Sequence, residues 1–173
     1  MNRLNSIAVW VRRMFHSRGF GIQSPTDYWL VRCVINEHWP YYQYAALGDG
    51  DDWLRRKLGQ LYFRITNWRQ PEIITANDYH DYFHAGCRKA VFGEGNELML
   101  LTVDTPQWQA RLEHFLSTAN ERSVLIVEGI WKDQKAWQQM AADKRLTITF
   151  DLYYCGLAFF DKKRTKHHYI INF

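Results

Sequence analysis

Two hydrophobic rhythms divide the chain. Over residues 1–70 the apolar positions recur at helical spacing. Leu4, Ile7, Val11, Met14 and Phe15 mark a first helix, interrupted on its other side by Arg12 and Arg13. The turn HSRGFGIQSP, punctuated by Gly19, Gly21 and Pro25, ends it. Thr26-Asp27 then cap a second helix through Tyr28, Leu30, Val31, Val34 and Ile35, which stops near Pro40. After the polar break LGDGDD, a third helix puts Trp53, Leu54, Leu58, Leu61, Tyr62, Ile65 and Trp68 on one face and Arg and Lys on the other.

From Pro71 onward strands and helices alternate. Strands EIIT, ELMLLTVD and SVLIVEG are interleaved with helices NDYHDYFHAGCRKAVF, TPQWQARLEHFLS and KDQKAWQQMAAD. ELMLLTVD and SVLIVEG are near-continuous apolar runs, the pattern of parallel strands covered on both faces. Three strand units joined by crossover helices imply a doubly wound α/β fold with a mainly parallel sheet. LTITFDL, GLAFF and HHYIINF follow, and two of these are expected to pair as an antiparallel hairpin at one sheet edge. The division is therefore an N-terminal helical extension over residues 1–70 and an α/β domain over residues 71–173.

Composition narrows the class without naming a chemistry. At 173 residues, 47% apolar and 23% charged, the chain is long enough for one sizeable core. Eight tryptophans and ten tyrosines point to large amphipathic surfaces in the core and at an interface. The net charge of +4 is mild. A basic cluster near the C-terminal end, Lys162-Lys163-Arg164 with Lys166, reads first as a solvated hairpin tip. Cys33, Cys87 and Cys155 lie far apart, so neither a disulfide framework nor a zinc site is expected, and a reduced, cytoplasmic setting fits. No run approaches the roughly 20 apolar residues that span a bilayer, and no secretory signal is evident. The first helix is basic and amphipathic; packing on its own domain is the favoured reading, lying on a membrane surface the other.

Candidate chemistry centres on the stretch PEIITANDYHDYFHAGCRKA. In nucleotide-type α/β domains the first strand-to-helix turn carries a glycine-rich loop, yet here the first glycine is Gly86, inside the expected helix. His80 and His84 share a helix face, but Asp81 stands where a zinc-site Glu is usual and no third ligand is evident. Cys87 reads as a small core residue. There is no GxSxG elbow and no P-loop.

The tail TITFDLYYCGLAFFDKKRTKHHYIINF, the preceding SVLIVEGIWKDQKAW and the early GFGIQSP resemble a group of bacterial class I S-adenosylmethionine-dependent methyltransferases. That group carries a GIHSPF-like turn, an acidic-isoleucine-aromatic motif after the fifth strand and a hairpin of the IDLF…GIVFF…K.HF kind. The resemblance implies a reduced Rossmann-like methyltransferase fold with a C-terminal antiparallel hairpin and N-terminal helices.

The departures from that group are as specific. Its members have an acidic, glycine-rich turn after the first strand, where this chain reads ITANDYHDYF. Only GEGN separates Phe92 from Glu97, too little for the strand, helix and strand expected there. The cofactor's nucleotide half therefore loses its floor. Thr75, Asn77 and Asp78 are the candidates for residual cofactor contact, with Asp78 or Asp81 standing in for the ribose acid. Metal-dependent relatives hold a divalent cation after the fourth and fifth strands; here Asp104 and Glu128-Gly129 occupy those places, so Asp104 and Glu128 are the catalytic candidates. The plainer reading makes Asp104 a helix cap and Glu128 a solvated strand end. Gln23 replaces the histidine of the N-terminal turn.

Three readings follow. The favoured one is a degenerate, non-catalytic methyltransferase-like protein acting through binding or assembly, with no cofactor or metal and a homodimer or protein partner. The second is an active, metal-assisted O-methyltransferase binding S-adenosylmethionine in a reduced site. The third, nucleic-acid or anionic-surface binding through Lys162–Lys166 and the N-terminal arginines, ranks last.

Overall fold

The computed structural model describes residues 3–17, 19–104 and 106–173, with the backbone alone for residues 3–7. Arg18, Thr105 and the side chains of Leu4 and Ile7 lie outside the described residues. Helices α1 (Arg3–Arg12), α2 (Pro25–Leu30) and α3 (Trp53–Arg69) precede strand β1 (Ile73–Thr75). Then come α4 (His80–Gly86), β2 (Val91–Phe92), β3 (Leu98–Thr102), α5 (Trp108–Thr118), β4 (Val124–Glu128), α6 (Gln134–Ala142), β5 (Ile148–Asp151), β6 (Cys155–Phe159) and β7 (His167–Ile170). The seven strands form one mixed sheet in the order β2-β1-β3-β4-β6-β5-β7. Strands β2, β1, β3 and β4 run parallel, β6 is antiparallel to both β4 and β5, and β7 is parallel to β5.

Period-two alternation inside the apolar runs divides the core into two layers. Leu98, Leu100, Val124 and Ile126 face a cluster with Leu30, Val34, Leu58, Leu61 and Ile65, so α2, α3 and α4 cover one side. Met99, Leu101, Leu125 and Val127 face Leu112, Phe115, Trp137 and Met140 of α5 and α6 on the other. The helices of residues 1–70 thus share a core with the sheet.

Several expectations change. The second helix is capped by Ser24, whose Oγ accepts from the Asp27 amide at 3.3 Å, with Pro25 at its first position. Asp27 is buried instead, where Arg164 Nη2 donates to it at 2.5 Å and the Tyr169 hydroxyl at 3.2 Å. Arg164 is therefore an internal anchor, while Lys162 and Lys163 remain exposed. On the expected polar face of α3, Arg64 is buried and donates to the carbonyls of Val34 and Ile35 at 2.6 and 3.0 Å, closing the π-helical turn Val31–Ile35. Val11, Met14 and Phe15 of the N-terminal segment are exposed. Polar contacts help tie the segment down, among them Arg13 Nη2 on Asp151 Oδ1 at 2.8 Å.

The helix expected to reach Phe92 ends at Gly86, where a Cβ would lie 2.4 Å from the Phe63 carbonyl oxygen, so α4 crosses close against α3. The freed residues supply β2, a two-residue edge strand beside β1. From there GEGN crosses β1 to reach β3, passing over Ile73; a Cβ on Gly95 would meet Ile73 Cγ2 at 2.4 Å. The C-terminal hairpin, β5 with β6, is present but internal, because β7 adds beyond it as the edge.

Candidate functional site

Open α/β sheets place ligands outside the carboxyl ends of their strands. At that end of β1, β3 and β4 lie Thr75, Thr102 and Glu128, with Thr102 and Glu128 paired across the ladder. Burial pushes the Glu128 carboxyl up from its ordinary range, opposed by two tyrosine hydrogen bonds. The Tyr62 hydroxyl of α3 donates to Glu128 Oε2 at 2.8 Å, and the Tyr79 hydroxyl to Oε1 at 3.3 Å. Burial and the facing carboxylate push both phenols up. Tyr79 sits at φ 59°, a left-handed conformation that starts α4 and turns its ring edge-on to Tyr62 at 4.9 Å. Phe83 stacks on Tyr62 at 5.5 Å. Aromatic side chains therefore fill the crevice between α3 and the strand ends.

Outside this plug lies an open cleft of about 870 Å³ reaching from Gly48 and Asp51 to Asp78, His84 and Arg88. Three of its charged side chains, Arg55, Asp78 and Asp51, satisfy one another. Arg55 clamps Asp78 through two bonds of 2.7 Å, reaches Asp51 at 2.9 Å and lies 4.4 Å over the Tyr79 ring. The guanidinium bonds hold the Asp78 carboxyl below its usual range. Asp51 also accepts the Tyr82 hydroxyl at 2.8 Å.

The sequence candidates thus separate into distinct settings. Asn77 and Asp78 line the cleft, as does Asp81. Thr75 is turned away from it: its Oγ1 donates to the Gly93 carbonyl at 2.8 Å and accepts from the Gly95 amide at 3.0 Å, pinning the GEGN crossover. Asp104 is exposed and paired with Lys132, and the first turn of α5 has no side-chain cap, so the capping role is not realised. Glu128 is held among Tyr62, Tyr79 and the core rather than solvated. The two carboxylates have different partners and do not form a joint site. His80 bonds the Ala76 carbonyl at 3.0 Å and meets the Phe92 ring edge-on. Cys87 is buried immediately after α4. Among the described residues no group of three His, Cys, Asp or Glu side chains is arranged to hold a metal ion, and no helix is long and apolar enough to cross a membrane.

Sequence reasoning missed Arg55, Tyr62 and Tyr79. The signal was there for Tyr62, since a tyrosine on the apolar face of a buried helix needs a partner for its hydroxyl. The structure defines the class as an α/β protein with a seven-stranded mixed sheet between two helical layers. Comparison with protein-family models, with curated proteins and with solved structures finds no match.

Proposed function

We propose that this chain is a reduced, methyltransferase-like scaffold that does not transfer methyl groups and acts through binding or assembly. The observation that carries the reading is the internal use of both crevice carboxylates, Asp78 by Arg55 and Glu128 by Tyr62 and Tyr79. A cofactor entering beside β1 would have to displace a two-bond ion pair and a buried aromatic plug. The four-residue GEGN crossover adds to this, since it provides no further strand whose end could offer a ribose-binding acid. Reversal of strand order on either side of β1 and β3 supports the doubly wound, Rossmann-like reading of the sheet.

A second reading rests on the cleft itself. Its volume of about 870 Å³ lies within the range of small-molecule sites, and Asn77, Asp78 and His84 line it. That reading keeps S-adenosylmethionine as ligand and the enzyme active.

Calorimetric titration with S-adenosylmethionine and S-adenosylhomocysteine, paired with thermal unfolding, separates the two. A ligand at about a hundred times its dissociation constant stabilises the folded state by about 2.7 kcal/mol. The scaffold reading expects no heat and no shift at millimolar ligand. Micromolar binding abolished by Asn77→Ala would overturn it.

A further inference from the structure

The N-terminal segment presents a surface that the core does not use. Phe15 and Phe20 are 78% and 85% exposed, and Val11, Met14 and Tyr28 are also exposed. Met14, Phe15, Phe20, Tyr28 and Arg32 line one groove of about 460 Å³, so these side chains form one contiguous patch. Scattered exposed apolar residues need no explanation, but a contiguous aromatic patch marks an interaction surface.

The charge distribution says what that surface suits. The first 36 residues hold five arginines and a single acid, Asp27, whereas residues 37–173 hold seventeen basic and seventeen acidic residues. The whole surplus of +4 therefore resides in the N-terminal fifth of the chain. Its one acid is 1% exposed and bound to Arg164, so it presents no negative charge outward. Arg13 is spent on Asp151, but Arg12 and Arg32 are exposed.

The patch is also mounted on the fold. The Asn172 amide donates to the His16 carbonyl at 3.0 Å, its Nδ2 donates to the Trp10 carbonyl at 3.3 Å, and Ser17 bridges to Asn172. Exposed phenylalanine, methionine and tyrosine beside arginine, with no exposed acid, is the composition of a surface that lies in a membrane interface. Arginine adds attraction to anionic headgroups, and the apolar side chains enter the headgroup boundary.

We propose that this patch docks the protein peripherally on an anionic bilayer, the lipid being the partner that the binding role requires. The inference does not depend on whether the cleft binds a cofactor, and its test leaves the cleft untouched. The full chain is sedimented with vesicles of phosphatidylcholine alone or with roughly a third phosphatidylserine, at low and high salt. At least about tenfold more protein should pellet with the anionic vesicles at low salt, and added salt should reduce it. The pair Phe15→Glu and Phe20→Glu should abolish pelleting, and Arg12→Glu with Arg32→Glu should do the same, with melting temperatures unchanged because these side chains are exposed. Equal binding to neutral vesicles, or none to either, would overturn the proposal. So would tighter binding to single-stranded or duplex nucleic acid, or a dimer in ultracentrifugation that the Phe15 and Phe20 variant dissociates.

Discussion

The Tyr62 hydroxyl reaches the Glu128 carboxylate at 2.8 Å and so joins the middle of α3 to the end of β4. Because Glu128 titrates higher in the folded chain than its ordinary 4.5, the fold favours its protonated form. The associated stability is complete below pH 4.5 and is lost as pH rises through the elevated folded value. Glu128→Gln keeps an acceptor for a tyrosine and removes the buried charge. Urea unfolding of the variant should show it gaining on the parent protein from acid to neutral pH. A difference between the two that stays constant with pH would contradict the assignment.

Lys57 titrates in the opposite sense. It lies between the rings of Phe173 and Trp53, 4.3 and 5.4 Å from their centres, and among the described residues it has no carboxylate partner. Burial, then the charge of Arg64, lowers its ammonium from 10.5 to about 8. The wild-type chain therefore bears the cost of a buried cation below pH 8 and is relieved of it between 8 and 10.5. Lys57→Met should raise stability at pH 7 by about 1–2 kcal/mol, the desolvation cost less the cation–π attraction it forfeits. That gain should vanish above pH 10.5 in a pH series of melting curves.

The crossover over β1 admits a steric test. Gly95→Ala drives a methyl into Ile73 and should destabilise the protein by about 1–3 kcal/mol. In an Ile73→Ala background part of that loss should disappear, since the nearest atom, Cγ2, is gone while the Ile73 Cβ, at 2.9 Å, stays in the way. A double-mutant cycle with no coupling would show that the loop crosses elsewhere.

Arg164 and Lys163 are neighbours with different work. Arg164→Ala leaves the buried Asp27 carboxylate with only Tyr169 and should cost about 3 kcal/mol. Lys163 is exposed and 3.6 Å from Glu121, so Lys163→Ala should change stability by less than about 0.5 kcal/mol. Chemical denaturation of both variants checks the contrast.

What the sequence made legible was whatever repeats. ELMLLTVD and SVLIVEG became β3 and β4 because an apolar run of that length admits a strand buried on both faces. α3 was legible from its stripe, and the C-terminal strands from their turns. What escaped were single long-range pairings, which leave no period. Val91–Phe92 reads as the end of a helix until Gly86 stops that helix against α3, and two residues are too few to announce a strand. Arg64 and Arg164 look solvated along the chain, yet each caps or pairs a buried group more than 25 residues away. The crevice was located by the topology expected from the sequence. Its plug was not, because Tyr79 reaches Glu128 only through one left-handed residue and a partner 49 positions distant.

The bonds from Arg164 and Tyr169 to Asp27 span 137 and 142 positions, and Asn172 holds the carbonyl of Trp10 across 162. During synthesis the helix bearing Asp27 emerges long before its partners exist. Until Arg164 and then β7 arrive, that carboxylate has no cation to receive it and the surrounding apolar residues have no finished sheet to rest on. The order of completion is therefore written into the topology: the helix bearing Asp27 is made well before the sheet and is among the last parts to reach its native state, and loop closure over such distances slows that step.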